Sequence, residues 1–161
     1  MLALDSPRWR ELAQAHGTAE DIPRLLQALE GLVTGDMRVR AELWFGIWAT
    51  LCPGGRLYDA AYAAVPHLLA MTRHLDAAER GAAVHVAAEV ETLRHVVGAP
   101  SIPDDLVPEY AQAIESLPSI VMELAAAPWE ATTAQIMAAA LLAGKRQPSL
   151  ARTILSIDSS S

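Results

Sequence analysis

Histidines are the residues in this chain best suited to chemistry, and there are five of them. His85 and Glu89 stand four apart, and so do Glu91 and His95. On a helix this spacing puts two side chains on one face, the way many zinc sites present a pair of ligands. Neither pair completes a site. There is no His-Glu-x-x-His run, and the two pairs fall on different faces of one helix. They flank an apolar stripe, Val86, Val90, Leu93 and Val97, which reads as core. His67 and His74 lie two turns apart with no third ligand evident. The expectation is no metal and no cofactor.

Nucleophiles are equally sparse. Cys52 is the single cysteine, which rules out an intramolecular disulfide or a thiolate cluster. It closes an expected helix, where the negative end of the dipole raises a thiol pKa. A half-buried structural role is expected for it. "CPGG" (52–55) has no phosphate-loop lysine and reads as a tight reversal. No Gly-x-Ser-x-Gly run occurs. Asp104 and Asp105 stand at an expected helix start, where capping and the dipole account for them. Nothing in the sequence demands catalysis, so a non-enzyme is expected.

The aromatic residues point to binding instead. In "ELWFGIW" (42–48), Trp44 and Trp48 share a helical face, beside a stripe of Leu43, Ile47 and Leu51. Tyr58 and Tyr62 share another face just beyond "CPGG". These four could line one end of a groove, and tryptophans concentrate at binding hot spots. With Arg38, His85 and Glu89 they make the expected partner-binding set.

The elements that must position these residues are helices. The chain has 161 residues, 52% hydrophobic and only 5% aromatic, with a mean hydropathy of +0.22. Abundant Ala and Leu with few aromatic or β-branched residues favours helix over sheet. About eight helices and no strand are expected. A first helix over 6–17 has Ser6 as cap, Pro7 at its first position and Gly17 at its end. Thr18 should cap a second that runs to Gly31, and Asp36 a third that ends near Leu51. A fourth spans about 59–74, and a fifth, capped by Asp76, reaches Val97. A sixth covers about 104–127, a seventh starts at Pro128 and Trp129 and ends at Gly144, and Pro148 opens a short eighth.

One proline breaks the usual rule. "AAYAAVPHLLAMT" (60–72) is a helical pattern with Pro66 inside it, at a cost of about 3 kcal/mol in an ordinary helix. The apolar phase continues through Pro66, so one kinked helix is expected there. The same pattern recurs in "IPRLLQAL" (22–29) and "LPSIVMEL" (117–124): an apolar residue, proline, then apolar residues three and four further on. Pro23 and Pro66 are 43 residues apart, Pro66 and Pro108 are 42, and Pro66 and Pro118 are 52. A period in the low forties suits helical repeats of roughly 40–47 residues. The third repeat can centre on Pro108 or on Pro118.

On these residues the chain resembles HEAT-like (armadillo-type) helical repeat proteins, and in particular small bacterial ones. "GDMRVRAEL" (35–43) comes close to the charged turn of such repeats, which is otherwise not clearly repeated. The resemblance implies an all-α fold, a short α-α superhelix of about three helix pairs. A single domain is expected: an N-terminal capping helix (1–17), repeats (18–144), and a C-terminal helix and tail (145–161). It also implies a protein partner on the concave face, built by the second helix of each pair.

Charge narrows the partner. Net charge is −7, which disfavours phosphate backbones. An immunity or antitoxin-like role, masking a basic protein, is the concrete version of the binding reading. The alternatives are a helical-repeat enzyme acting on nucleic acid along Arg38, Arg40, Arg80 and Arg94, or a structural subunit. Such a subunit would self-associate, as a homodimer, through the weakly polar last helix. The longest uncharged apolar run, 131–144, is 14 residues, short of the about 18 a membrane span needs. "MLALDSPRWR" has no basic start followed by an apolar stretch, so a cytoplasmic protein is expected.

Overall fold

The computed structural model describes residues 1–31, 37–126 and 128–157. The expected turn and Asp36 cap at 32–36, the end of the sixth helix at Ala127 and the tail at 158–161 lie outside them. Among the described residues the chain is mostly helical, with seven α-helices.

The first expected helix is not one. Ser6 does cap, its Oγ accepting from Arg8 N at 3.2 Å, and Pro7 follows as expected. What forms is a short 3-10 helix, Pro7–Glu11, then strands β1 (Ala13–Gln14) and β2 (Gly17–Thr18) of a minimal antiparallel hairpin. Tertiary bonds outweigh the local helix signals. Trp9 and Leu12 are buried, Asp59 Oδ1 accepts from Ala13 N at 2.5 Å, and the Thr50 carbonyl accepts from Ala15 N at 3.0 Å. Thr18, expected as a helix cap, is spent in β2, and the next helix starts four residues later.

That helix is α1 (Ile22–Gly31), with Pro23 in its first turn, where a missing N–H costs nothing. Ile22, Leu26 and Leu29 are buried as expected, while Leu25 is only half-buried. α2 (Met37–Leu51) ends at the reversal expected for "CPGG". Gly54 and Gly55 take φ of 58° and 74° there, a region that favours glycine. α3 (Ala60–Met71) runs through the buried Pro66 as one helix.

Asp76 caps α4 (Ala77–Leu93), its carboxylate accepting from Glu79 N at 3.0 Å. α4 stops four residues short of expectation. Val97, assigned to its core stripe, is therefore fully exposed beside the turn at Gly98, whose φ is 87°. α5 (Val107–Leu124) places Pro108 in the first turn, like Pro23, and Pro118 in the interior, like Pro66. α6 (Ala131–Gly144) and α7 (Pro148–Leu155) complete the chain.

α1 packs on α2 and α3, α3 on α4 and α5, and α5 on α6. α4 packs on α6. α7 packs on α6 and then on α4, so it folds back across those two helices. Where α6 ends, it meets α5 at Pro118. A Cβ on Gly144 would sit 2.5 Å from Pro118 Cδ and 3.2 Å from the Ile114 carbonyl oxygen. That carbonyl is the one whose usual donor Pro118 removes, and glycine lets the helix end approach it.

Candidate functional site at the seam between α2 and α4

Arg40, Trp44 and Trp48 recur every four residues on α2 and form one face of it. Glu79 and Glu89 on α4 receive two of them. Arg40 Nη2 donates to Glu79 Oε2 at 2.6 Å, and Arg40 Nη1 lies 3.5 Å from Asp76. Trp48 Nε1 donates to Glu89 Oε2 at 2.7 Å. The two helices are thus joined by long polar side chains.

Between those bonds sits Trp44. Its Nε1 is buried and finds no partner among the described residues, and neither does Arg40 Nε. A buried donor left unpaired costs roughly 1–3 kcal/mol. The seam is therefore less well satisfied than the core. Phe45, one residue on, is 68% exposed.

His85 is half-buried one turn before Glu89. Burial holds its imidazole below the ordinary histidine pKa, with the Glu89 charge opposing, so at neutral pH it is uncharged. Cys52 is fully buried, deeper than expected. Burial first, then the Glu89 charge, pushes its thiol up, which makes it a poor nucleophile. Arg38 is exposed and pairs with Glu42 at 3.3 Å.

The two tyrosines of the expected set lie elsewhere. Tyr58 is half-buried under the Arg56 guanidinium, 5.4 Å from its ring centre, and lines a groove of about 370 Å³ with Leu93 and Val97. Tyr62 is in the core. Its hydroxyl donates to the Pro100 carbonyl at 2.6 Å, and its ring meets that of Tyr110 edge-on at 5.1 Å. Burial holds the Tyr62 phenol at about 12. The structure joins Trp48 to Glu89, with Trp44 one turn away on α2 and His85 one turn away on α4, and it gives Tyr58 and Tyr62 other partners.

A second cluster lies on another face of α4. Glu91 is almost wholly buried, yet takes Arg94 Nε and Nη2 at 2.6 and 2.8 Å, the Tyr110 hydroxyl at 3.0 Å and His95 Nε2 at 3.4 Å. It borders a groove of about 420 Å³ whose walls include Ile102, Val107 and Ile114. The spacing of Glu91 and His95 was visible in the sequence; Tyr110, the partner from α5, was not. Among the described residues no three His, Cys, Asp or Glu side chains gather as metal ligands would. No described helix is long and apolar enough to cross a membrane.

No family model, curated protein or solved structure matches this chain.

Proposed function

We propose that the chain is a short α-α superhelix of the HEAT type and binds a protein partner at the seam between α2 and α4. The helix packing supports the superhelix: α1, α3 and α5 follow one another in one row and α4 and α6 form a second, while α2 reaches α4 through the side chains of Arg40 and Trp48. α7 covers the part of the second row formed by α4 and α6. On α2, beside its bonds to α4, Phe45 is left exposed. One observation carries the binding reading: Phe45, 68% exposed, flanks the face of the half-buried Trp44 and Trp48 on a helix held by polar bonds. A large exposed aromatic set among half-buried ones is how a binding hot spot looks before its partner arrives.

The net charge of −7 favours a partner with a basic surface, which it would steer in from a distance. An immunity or antitoxin-like role fits that chemistry. The nucleic-acid alternative rested on four arginines, and each is paired with a carboxylate. Arg38 pairs with Glu42, Arg40 with Glu79, Arg80 with Glu123 and Arg94 with Glu91.

The test compares three immobilised proteins: wild type, Phe45→Asp, and Met122→Asp, which alters an exposed residue of α5. A partner retained by wild type and Met122→Asp and lost by Phe45→Asp supports the seam. A partner lost equally, or kept by all three, places recognition elsewhere.

A further inference from the structure

We propose that α7 is exchanged between two copies of this chain, giving a reciprocal dimer in which each α7 lies on α4 and α6 of the other copy. The exchange does not involve α2, so its test stands apart from that of the seam.

The seat of α7 is made of contacts that a second copy reproduces. Ala151 is buried, and Ile154 and Leu155 are half-buried against the body. The Gln135 amide donates to the carbonyls of Ile154 at 2.6 Å and Ile157 at 2.8 Å. None of these groups belongs to the connection between α6 and α7. Which copy supplies the helix is decided by that connection alone.

The connection is three residues long and strained. It closes with Arg146 N donating to the Ala143 carbonyl at 3.0 Å and Gln147 N to the Leu142 carbonyl at 2.8 Å. To do so Arg146 takes a φ of 60°, the only positive φ at a non-glycine position among the described residues. A side chain with a Cβ populates that region roughly tenfold less than the right-handed one. Relaxing Arg146 carries α6 on toward α7 and releases the strain in both copies at once. Short connections under strain invite such an exchange.

Pro148 does not forbid it. In a merged helix Pro148 would be interior, and this chain already runs α3 through Pro66 and α5 through Pro118. The ion pair from Arg146 to Glu115, at 2.9 Å, would be lost, but both side chains are well exposed and the pair holds little. Leu150 on α7 and Ile157, two residues past its end, are 54% and 58% exposed in the closed form. They are apolar surface that a second copy can cover.

The experiment is size-exclusion chromatography with light scattering on the full chain over a concentration series. Wild type should show a dimer that grows with concentration. Arg146→Gly, which takes a positive φ without strain and is a poorer helix former, should weaken that dimer by about tenfold or more. A short Gly-Ser insertion after Arg146 should leave only monomer, and deletion of Arg146 should leave only dimer. A wild type that stays monomeric at every concentration overturns the proposal. So does a dimer indifferent to both Arg146→Gly and the insertion, because that dimer joins by its faces without exchange.

Discussion

Glu91 has left water almost entirely, and three side chains replace the solvent it gave up. The hydroxyl of Tyr110 is the one of these that comes from another helix. Tyr110→Phe removes a hydrogen bond to a charged group, and urea denaturation should show a loss of about 1.5–3 kcal/mol. A loss under about 0.5 kcal/mol would mean that Arg94 alone satisfies the carboxylate. The histidines give a pH dependence with a definite sign. His67, whose Nε2 donates to the Leu2 carbonyl at 2.8 Å, and His85 are both held below the ordinary pKa, chiefly by burial. Below about pH 6.5 the unfolded chain takes up protons that these folded imidazoles resist, so stability falls as pH drops from there. Above that pH both states are neutral and the effect vanishes. Thermal melts should show the wild type losing Tm between pH 7 and pH 5. A His67→Asn, His85→Gln variant should lose less over that interval. Equal slopes would put the acid sensitivity in other groups.

The helices differ in how plainly the sequence announces them. α4 could be read from Asp76, with Glu79 three residues on, and α6 and α7 from the prolines ahead of or at their starts. The apolar stripes of α1, α3 and α5 were legible for the same reason, since period and burial obey one geometry. What could not be read is set by residues far away in the chain. The 6–17 segment carries a cap, a proline and a terminal glycine, yet bonds from Asp59 and Thr50 draw it into a hairpin. The seam was half legible: Trp44, Trp48, His85 and Glu89 stood out, but the pairing of Arg40 with Glu79 depends on packing that no local pattern records. Two substitutions test the helix packing. Leu69 is buried on α3, and Leu69→Ala should cost about 2–5 kcal/mol in chemical denaturation. A cost below about 1 kcal/mol would remove that stripe from the core. Gly144→Ala forces a methyl against Pro118 and should cost about 1–3 kcal/mol. Pro118→Ala in the same chain should recover part of that cost, because the ring is what the methyl meets. Strict additivity of the two changes would separate them.

Across the whole molecule, the first nineteen residues are stitched to distant parts of the chain. Arg8 holds Asp105 through two bonds, at 2.9 and 3.1 Å, from 97 residues away. That guanidinium keeps the Asp105 carboxyl below the usual carboxylate range. The contribution is present above the ordinary aspartate pKa of about 3.9 and is lost as pH falls through the lower folded value. Because the pair is well exposed, Asp105→Asn should cost about 1 kcal/mol or less at pH 7. Guanidine titrations of the two proteins should converge in strong acid, and a gap that persists there would deny the pair its role. His67 holds Leu2, Asp59 holds Ala13, and Thr50 holds Ala15. These bonds set an order of events during synthesis. Arg8 leaves the ribosome well before Asp105, its partner 97 residues further on, has been made. Thr50, Asp59 and His67 emerge before Asp105, so Ala15, Ala13 and Leu2 can be seated while Arg8 still waits for its carboxylate.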